Sequence, residues 1–315
     1  VSEKDEMKLA HAWLSLAEAR LALGDKDKAL AAYYKCIEYP DTPFAYRARY
    51  ELALEETEKK NYAQARAILE QNLKAAPAAD RDAQEKSVYK LAGLLILLKD
   101  YDQAAFRLKE ATRLYPANAH ALTARDQLAE CYRRLAEQER GRLTAAKNPE
   151  MIAHYRRKCD ALLEQAHTVY RDISEELEAR ARKGMLDATE QSLLRRALFG
   201  AADARFEGNQ FPEALRLYQG IQARYRRRID SLLACQRIFK CFGVMPPAEF
   251  RAAQLAALEA VALAREDLAV LPPEADVFQG PGVWSHREWT TRLDEMQERL
   301  RTPPGAESKG MPVVR

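Results

Sequence analysis

The sequence predicts an all-α fold, an array of helical hairpins stacked as an α-solenoid, and three observations carry the expectation. An Ala follows another Ala at a distance of twelve residues four times: Ala17/Ala29, Ala53/Ala65, Ala92/Ala104 and Ala202/Ala214. Each pair encloses a turn-forming stretch: Gly24-Asp25-Lys26, Asn61-Tyr62, Asp100-Tyr101 and Gly208-Asn209-Gln210-Phe211. A large side chain stands four residues after the second Ala (Tyr33, Leu69, Leu108, Tyr218), and Pro77 and Pro116 stand twelve after theirs. Methyl-sized residues at matching places let antiparallel helices approach closely, and a unit that recurs packs on its neighbours in a line.

Composition points the same way. Only 12 Gly and 14 Pro occur in 315 residues, and 47% apolar with 31% charged residues suits helices that each bury one stripe. Val and Ile are sparse while Ala, Leu, Glu, Arg and Lys abound, which favours helix over strand. The 50 basic and 47 acidic residues leave a net charge of +3. Bulk charge therefore gives no support to a nucleic-acid partner. No run of about 18 apolar residues is present, so the chain offers no transmembrane segment. The five cysteines, Cys36, Cys131, Cys159, Cys235 and Cys241, fall in helical stretches and read as buried thiols acting as small hydrophobes.

The elements follow in order. The first helix is expected from about Glu6 to Leu23, with Trp13, Leu16, Ala17, Ala19 and Leu21 on its buried side and Gly24 ending it in a left-handed conformation. The second runs from about Lys26 to Glu38. The linker Tyr39-Pro40-Asp41-Thr42-Pro43 then breaks the chain, with Asp41 or Thr42 able to cap the next helix. The second unit has helices near 43–59 and 62–75, the third near 83–98 and 101–114. The fourth departs: its first helix continues to about residue 145, and Asn148-Pro149 starts another. The second-helix pattern returns late, at Ala166, Tyr170 and Ile173, which implies an elongated helical hairpin or a different bundle joint. Asp187 and Glu190 form a capping box for a fifth unit, with helices near 188–207 and 211–226. A degenerate sixth spans about 228–242 and 247–269, and Ser285 with Glu288 opens a last, capping helix to about Arg301. The domain reading is three regular units over 1–117, an irregular unit with the insertion over 118–186, the fifth unit and start of the sixth over 187–245, a helical cap over 246–301, and a disordered tail over 302–315.

These residues resemble the tetratricopeptide repeat family. Its pattern is matched by Trp13, Leu16, Ala17, Ala29 and Tyr33; by Leu52, Ala53, Tyr62, Ala65 and Pro77; by Ala92, Tyr101, Ala104 and Pro116; and by Ala202, Phe211, Ala214 and Tyr218. The match is specific over about 8–117 and 190–226. The junctions Tyr39-Pro40-Asp41-Thr42 and Tyr115-Pro116-Ala117-Asn118 also look like those of bacterial envelope repeat proteins, such as the outer-membrane assembly lipoprotein and the Tol–Pal coordinator. The resemblance implies a right-handed superhelix whose first helices line a concave groove. It also implies a scaffold that binds a protein or extended peptide within a larger bacterial assembly, in the envelope or the cytoplasm.

Carrying the groove positions over gives Arg47, Tyr50 and Leu54; Lys86 and Tyr89; Arg133 and Arg134; and Arg196 and Phe199. A basic residue precedes an aromatic by three at Arg47/Tyr50, Lys86/Tyr89 and Arg196/Phe199, which places each pair on one helical face. Cations beside rings could grip carboxylates and apolar side chains of a peptide. The competing reading has the rings packed between neighbouring helices. The run Arg224-Tyr225-Arg226-Arg227-Arg228 is a candidate for anionic surfaces or a solvated helix end. No HExxH, CxxC, Gly-rich phosphate loop or GxSxG is found, so neither catalysis, a metal nor a cofactor is expected. Two alternatives remain: a non-catalytic region of a larger membrane-anchored or multidomain protein, and a helical-repeat RNA binder, which Asp126, Glu130 and Asp203 disfavour.

Overall fold

The computed structural model describes residues 2–74, 80–117, 120–279 and 283–301. They form thirteen α-helices and no β-strand among the described residues: α1 Glu3–Ala22, α2 Lys26–Cys36, α3 Pro43–Glu58, α4 Tyr62–Lys74, α5 Arg81–Leu97, α6 Tyr101–Leu114, α7 Ala121–Ala145, α8 Pro149–Ala181, α9 Ala188–Glu207, α10 Phe211–Arg224, α11 Ile229–Val244, α12 Phe250–Ala269 and α13 His286–Arg301. Pro77 and the segment 302–315 lie outside the described residues.

Helix starts follow local chemistry. The Thr42 hydroxyl accepts the Ala45 N–H at 3.3 Å, and Asn148 Oδ1 accepts that of Glu150 at 2.8 Å. Asp187 and Glu190 form the reciprocal capping box on α9, and Ser285 with Glu288 does the same before α13. The four repeat turns share one construction. At Gly24, Lys60, Lys99 and Asn209 φ is positive, at +77°, +62°, +59° and +59°. Each of these residues stands five places before its unit's second Ala. The next N–H reaches back five residues in every case: Asp25 to Arg20, Asn61 to Glu56, Asp100 to Leu95 and Gln210 to Arg205, all at 2.8–3.0 Å. The left-handed residue itself donates three residues back, so the four turns are one Schellman motif.

The alanines meet where the helices cross. Ala17, Ala53, Ala65, Ala92, Ala104, Ala202 and Ala214 are fully buried and Ala29 is 1% exposed. Tyr33, Leu69, Leu108 and Tyr218 fill the space beside them. The chain divides into two compact units, Val1–Lys158 and Cys159–Arg315, with α8 running across the division. In the first, α1 packs on α2 and α3, α3 on α4 and α5, α5 on α6, and α6 on α7. Asn72, fully buried on α4, ties three helices by donating to the Tyr46 carbonyl at 2.9 Å and the Ser87 hydroxyl at 3.1 Å. Across the turn between α7 and α8, Lys158 Nζ lies 3.5 Å from Glu139 Oε1. In the second unit, α10 packs on α9, α11 and α12. α13 closes that core with Trp289, Leu293, Met296 and Leu300. Arg226 Nε reaches the fully buried Asp267 at 2.8 Å, and the Ser231 hydroxyl donates to the same carboxylate.

Two expectations need correction. α12 begins at Phe250 rather than near Pro247, because Pro246 and Pro247 turn the chain before the helix closes its first hydrogen bond, Ala253 N–H to Glu249. On α1 the buried side is Ala10, Leu14 and Ala17. Leu16, Ala19 and Leu21 are exposed, the two leucines at 40% and 46%. Among the described residues only α2 and α3 cover α1 substantially, so the side carrying Leu16 and Leu21 stays exposed.

All five cysteines are buried free thiols; burial pushes Cys36 up to about 11 and Cys131, Cys235 and Cys241 up to about 12. Gly200 on α9 lies flat against the Tyr170 ring of α8, where an added Cβ would come within 2.6 Å of it. Gly220 on α10 has open space at the same point. Gly200→Ala should therefore lose about 1–3 kcal/mol in urea unfolding despite alanine's better helix propensity. Gly220→Ala should gain about 0.5–1 kcal/mol.

Candidate binding faces

In the first unit the nominated residues sit on α3, α5 and α7. Tyr50 and Tyr89 are half-buried, each with part of its ring against the core around Leu91 and Leu95. Burial raises both phenols above their usual range. The Tyr89 hydroxyl donates to the Tyr115 carbonyl at 3.3 Å, which anchors it at the end of α6. Leu54 is half-buried beside Ala53, while Arg47 and Lys86 are exposed. The rings thus serve both readings: one edge packs between helices and the other faces water.

The basic partners are not bare. Arg47 Nε bonds the buried Asp80 at 2.7 Å, and Asp80 also caps α5 through the Ala83 N–H at 3.0 Å. Lys86 pairs with Asp82 at 2.8 Å. Arg133 lies 3.3 Å from Glu130, and Arg134 reaches Glu130 at 2.7 Å and Glu137 at 3.3 Å. Beside Tyr50 lies a carboxylate that the sequence reading passed over. Glu51 on α3 is half-buried, and burial raises its pKa, with Lys86 of α5 opposing and Glu18 of α1 adding to the rise. Burial, then Glu51 and Glu18, push Tyr33 up to about 12. The face is therefore a mosaic of rings with both signs of charge, and not a basic strip. Glu18 and Glu51 could not be placed together from the sequence, because they lie on α1 and α3 and only stacking brings them near Lys86 of α5.

In the second unit Arg196 is exposed and Phe199 is half-buried against the core. One turn on, Asp203 accepts from the Tyr218 hydroxyl at 2.6 Å and lies 3.6 Å from Arg237. The arginine run is used internally. Arg224 pairs with Glu178, Arg226 with Glu266 and Asp267, and Tyr225 is buried. Arg227 and Arg228 are exposed, and Arg227 occupies the left-handed region at φ +62°. A cavity of about 350 Å³ opens at the ends of α4, α5 and α6 between Leu73, Arg81, Val88, Glu110 and Tyr115. Its walls come from three helices, so no local motif announces it. No group of His, Cys, Asp and Glu able to hold a metal occurs among the described residues.

The Glu51 environment gives a pH test. Its folded pKa is raised, so the protein is most favoured when Glu51 is protonated and loses that advantage as pH rises through the folded value. Glu51→Gln should raise the thermal midpoint at pH 7. The gain should shrink towards zero below the ordinary glutamate value of about 4.3, as followed by circular dichroism.

Comparison with known proteins adds two findings. Residues 10–42 and residues 196–227 each match a tetratricopeptide repeat model. The first covers most of α1 and all of α2, and the second most of α9 and all of α10. Among solved structures, the crystal structure of the P58(IPK) TPR domain is similar at 13% identity, over 93% of this chain and 90% of that one, with a TM-score of 0.23. A search of curated proteins finds no significant match. One matched segment lies in each compact unit.

Proposed function

We propose that this chain is a non-catalytic scaffold that binds an extended peptide or protein segment along the α1–α3–α5 face of its first unit. The observation that carries the reading is the pair Tyr50 and Tyr89, half-buried rings at the same register of consecutive first helices, flanked by Arg47, Glu51 and Lys86. Rings held by packing present contact area at little entropic cost, and charges of both signs beside them can select a peptide's own charge pattern. Glu18, Glu51 and Asp82 interleaved with the cations favour a peptide over a phosphate backbone, whose binding needs uncompensated positive charge. Arg133 and Arg134 on α7, and Arg196 with Phe199 on α9, are proposed as contacts of the same kind. The Tyr-Pro junctions after α2 and α6 support a place within a larger bacterial assembly, of the envelope type they resemble.

The test is selection from a displayed library of random peptides. The wild-type chain should enrich a defined consensus. Tyr50→Ala with Tyr89→Ala should weaken the selected peptides by about tenfold or more while the far-ultraviolet circular dichroism stays unchanged. Tyr89→Phe, which removes only the bond to the Tyr115 carbonyl, should bind as the wild type does. Loss of helicity in the double variant would show that the rings are core.

A further inference from the structure

The apolar surface of α1 that faces away from α2 and α3 is patterned. Leu9, Ala12, Leu16, Ala19 and Leu23 are all exposed, the leucines at 41%, 40% and 79%. They recur at spacings of three, four, three and four, the spacing of a coiled-coil seam, while Ala10, Leu14 and Ala17 occupy the core side. No other helix among the described residues exposes as many large apolar side chains as α1, which also shows Met7 and Leu21. Scattered exposed leucines are ordinary, but a heptad-spaced row on one helix is the form that another helix fits.

We infer that this seam is a self-association surface, on which α1 of a second copy lies antiparallel about a two-fold axis near Leu14. The row reads large, small, large, small, large. In the antiparallel arrangement Leu9 falls opposite Ala19 of the second copy, and Ala12 opposite Leu16. Each of these layers then holds one leucine and one methyl, which lets the two backbones approach closely, while Leu23, just past the end of α1, falls opposite Asp5 at the rim of the seam. A parallel pairing would set leucine on leucine and alanine on alanine, leaving gaps in alternate layers. Charge agrees with the antiparallel choice. Glu6 and Arg20 flank the seam on one side at positions that the two-fold brings together, so each Glu6 meets Arg20 of the other copy. Within one chain Glu6 has no ion pair among the described residues, and Arg20 approaches Asp25 only to 3.8 Å. At 100° per residue, Glu18 lies roughly 160° around α1 from Leu16, so the proposed peptide face stays open in the dimer.

Sedimentation velocity of the whole chain tests this, from about 1 µM to about 200 µM, the range suited to a small interface. The 35.8 kDa chain should move towards twice that mass as concentration rises. Leu16→Glu should weaken association at least tenfold with unchanged circular dichroism, since Leu16 takes no part in the core. Glu6→Arg and Arg20→Glu should each weaken it by roughly threefold to tenfold, and the double exchange should return it to near the wild-type value. A monomer throughout, a dimer indifferent to Leu16→Glu, or a double variant no better than the single ones would overturn the assignment.

Discussion

Two helices approach closely only where the side chains at their crossing are no larger than a methyl group. In this chain that condition is met twice per hairpin, by the alanine pairs buried to within 1%. The rest of each unit follows from it. Because the crossings are tight, Tyr33, Leu69, Leu108 and Tyr218 have one place to go, beside the second alanine and into the gap towards the next hairpin. That stacking is what sets Tyr50 and Tyr89 at matching places on neighbouring first helices and brings Glu51 near Glu18 and Lys86. A larger residue at a crossing would widen one hairpin and shift the register of every side chain on the exposed face beyond it.

The turn is the second half of the same constraint. A step of twelve positions from one alanine to the next leaves room for one Schellman turn and no more, and that turn demands a left-handed residue at a set place. Glycine fills it only at Gly24, and Asn209 tolerates it through its short polar side chain. Lys60 and Lys99 adopt it at a cost of about 1–2 kcal/mol each, which the packing on either side must offset. Backbone geometry recurs here without the residue type that would advertise it, so packing dictates conformation more strongly than local preference does.

This explains what could be read in advance. The helix limits and the caps at Thr42, Asn148, Asp187 and Ser285 depend on neighbours within four residues, and a single strand of text displays them. The crossings could be read because alanine spacing is itself a record of helix contact. The buried sides of end helices could not. On α1 both the Ala10–Leu14–Ala17 row and the Leu9–Leu16–Leu23 row have helical periodicity, and only the position of α2 and α3 decides between them. The ion pairs were equally hidden. Arg47 with Asp80 and Arg226 with Asp267 join residues 33 and 41 apart, and nothing local to either residue names its partner.

Those hidden acids change what the candidate face means. An arginine beside a ring suggests a trap for anions, but Arg47 already gives its Nε to Asp80, which also holds the start of α5, so a ligand carboxylate would share the guanidinium with that acid. That tie between an exposed guanidinium and a nearly buried carboxylate commits Arg47 to the fold and weakens its pull on a ligand. Lys86 differs, because its pair with Asp82 lies within one turn of a single helix and both side chains are largely exposed. Exposed pairs of this kind contribute on the order of 0.5 kcal/mol and exchange readily. A bound segment is therefore expected to place its acidic group at Lys86 and a basic one at Glu51, whose partly buried carboxylate would regain from a cation what it lost in hydration. Arg47 then acts as a brace between α3 and α5, and the selectivity of the face rests on the neighbouring, loosely held charges.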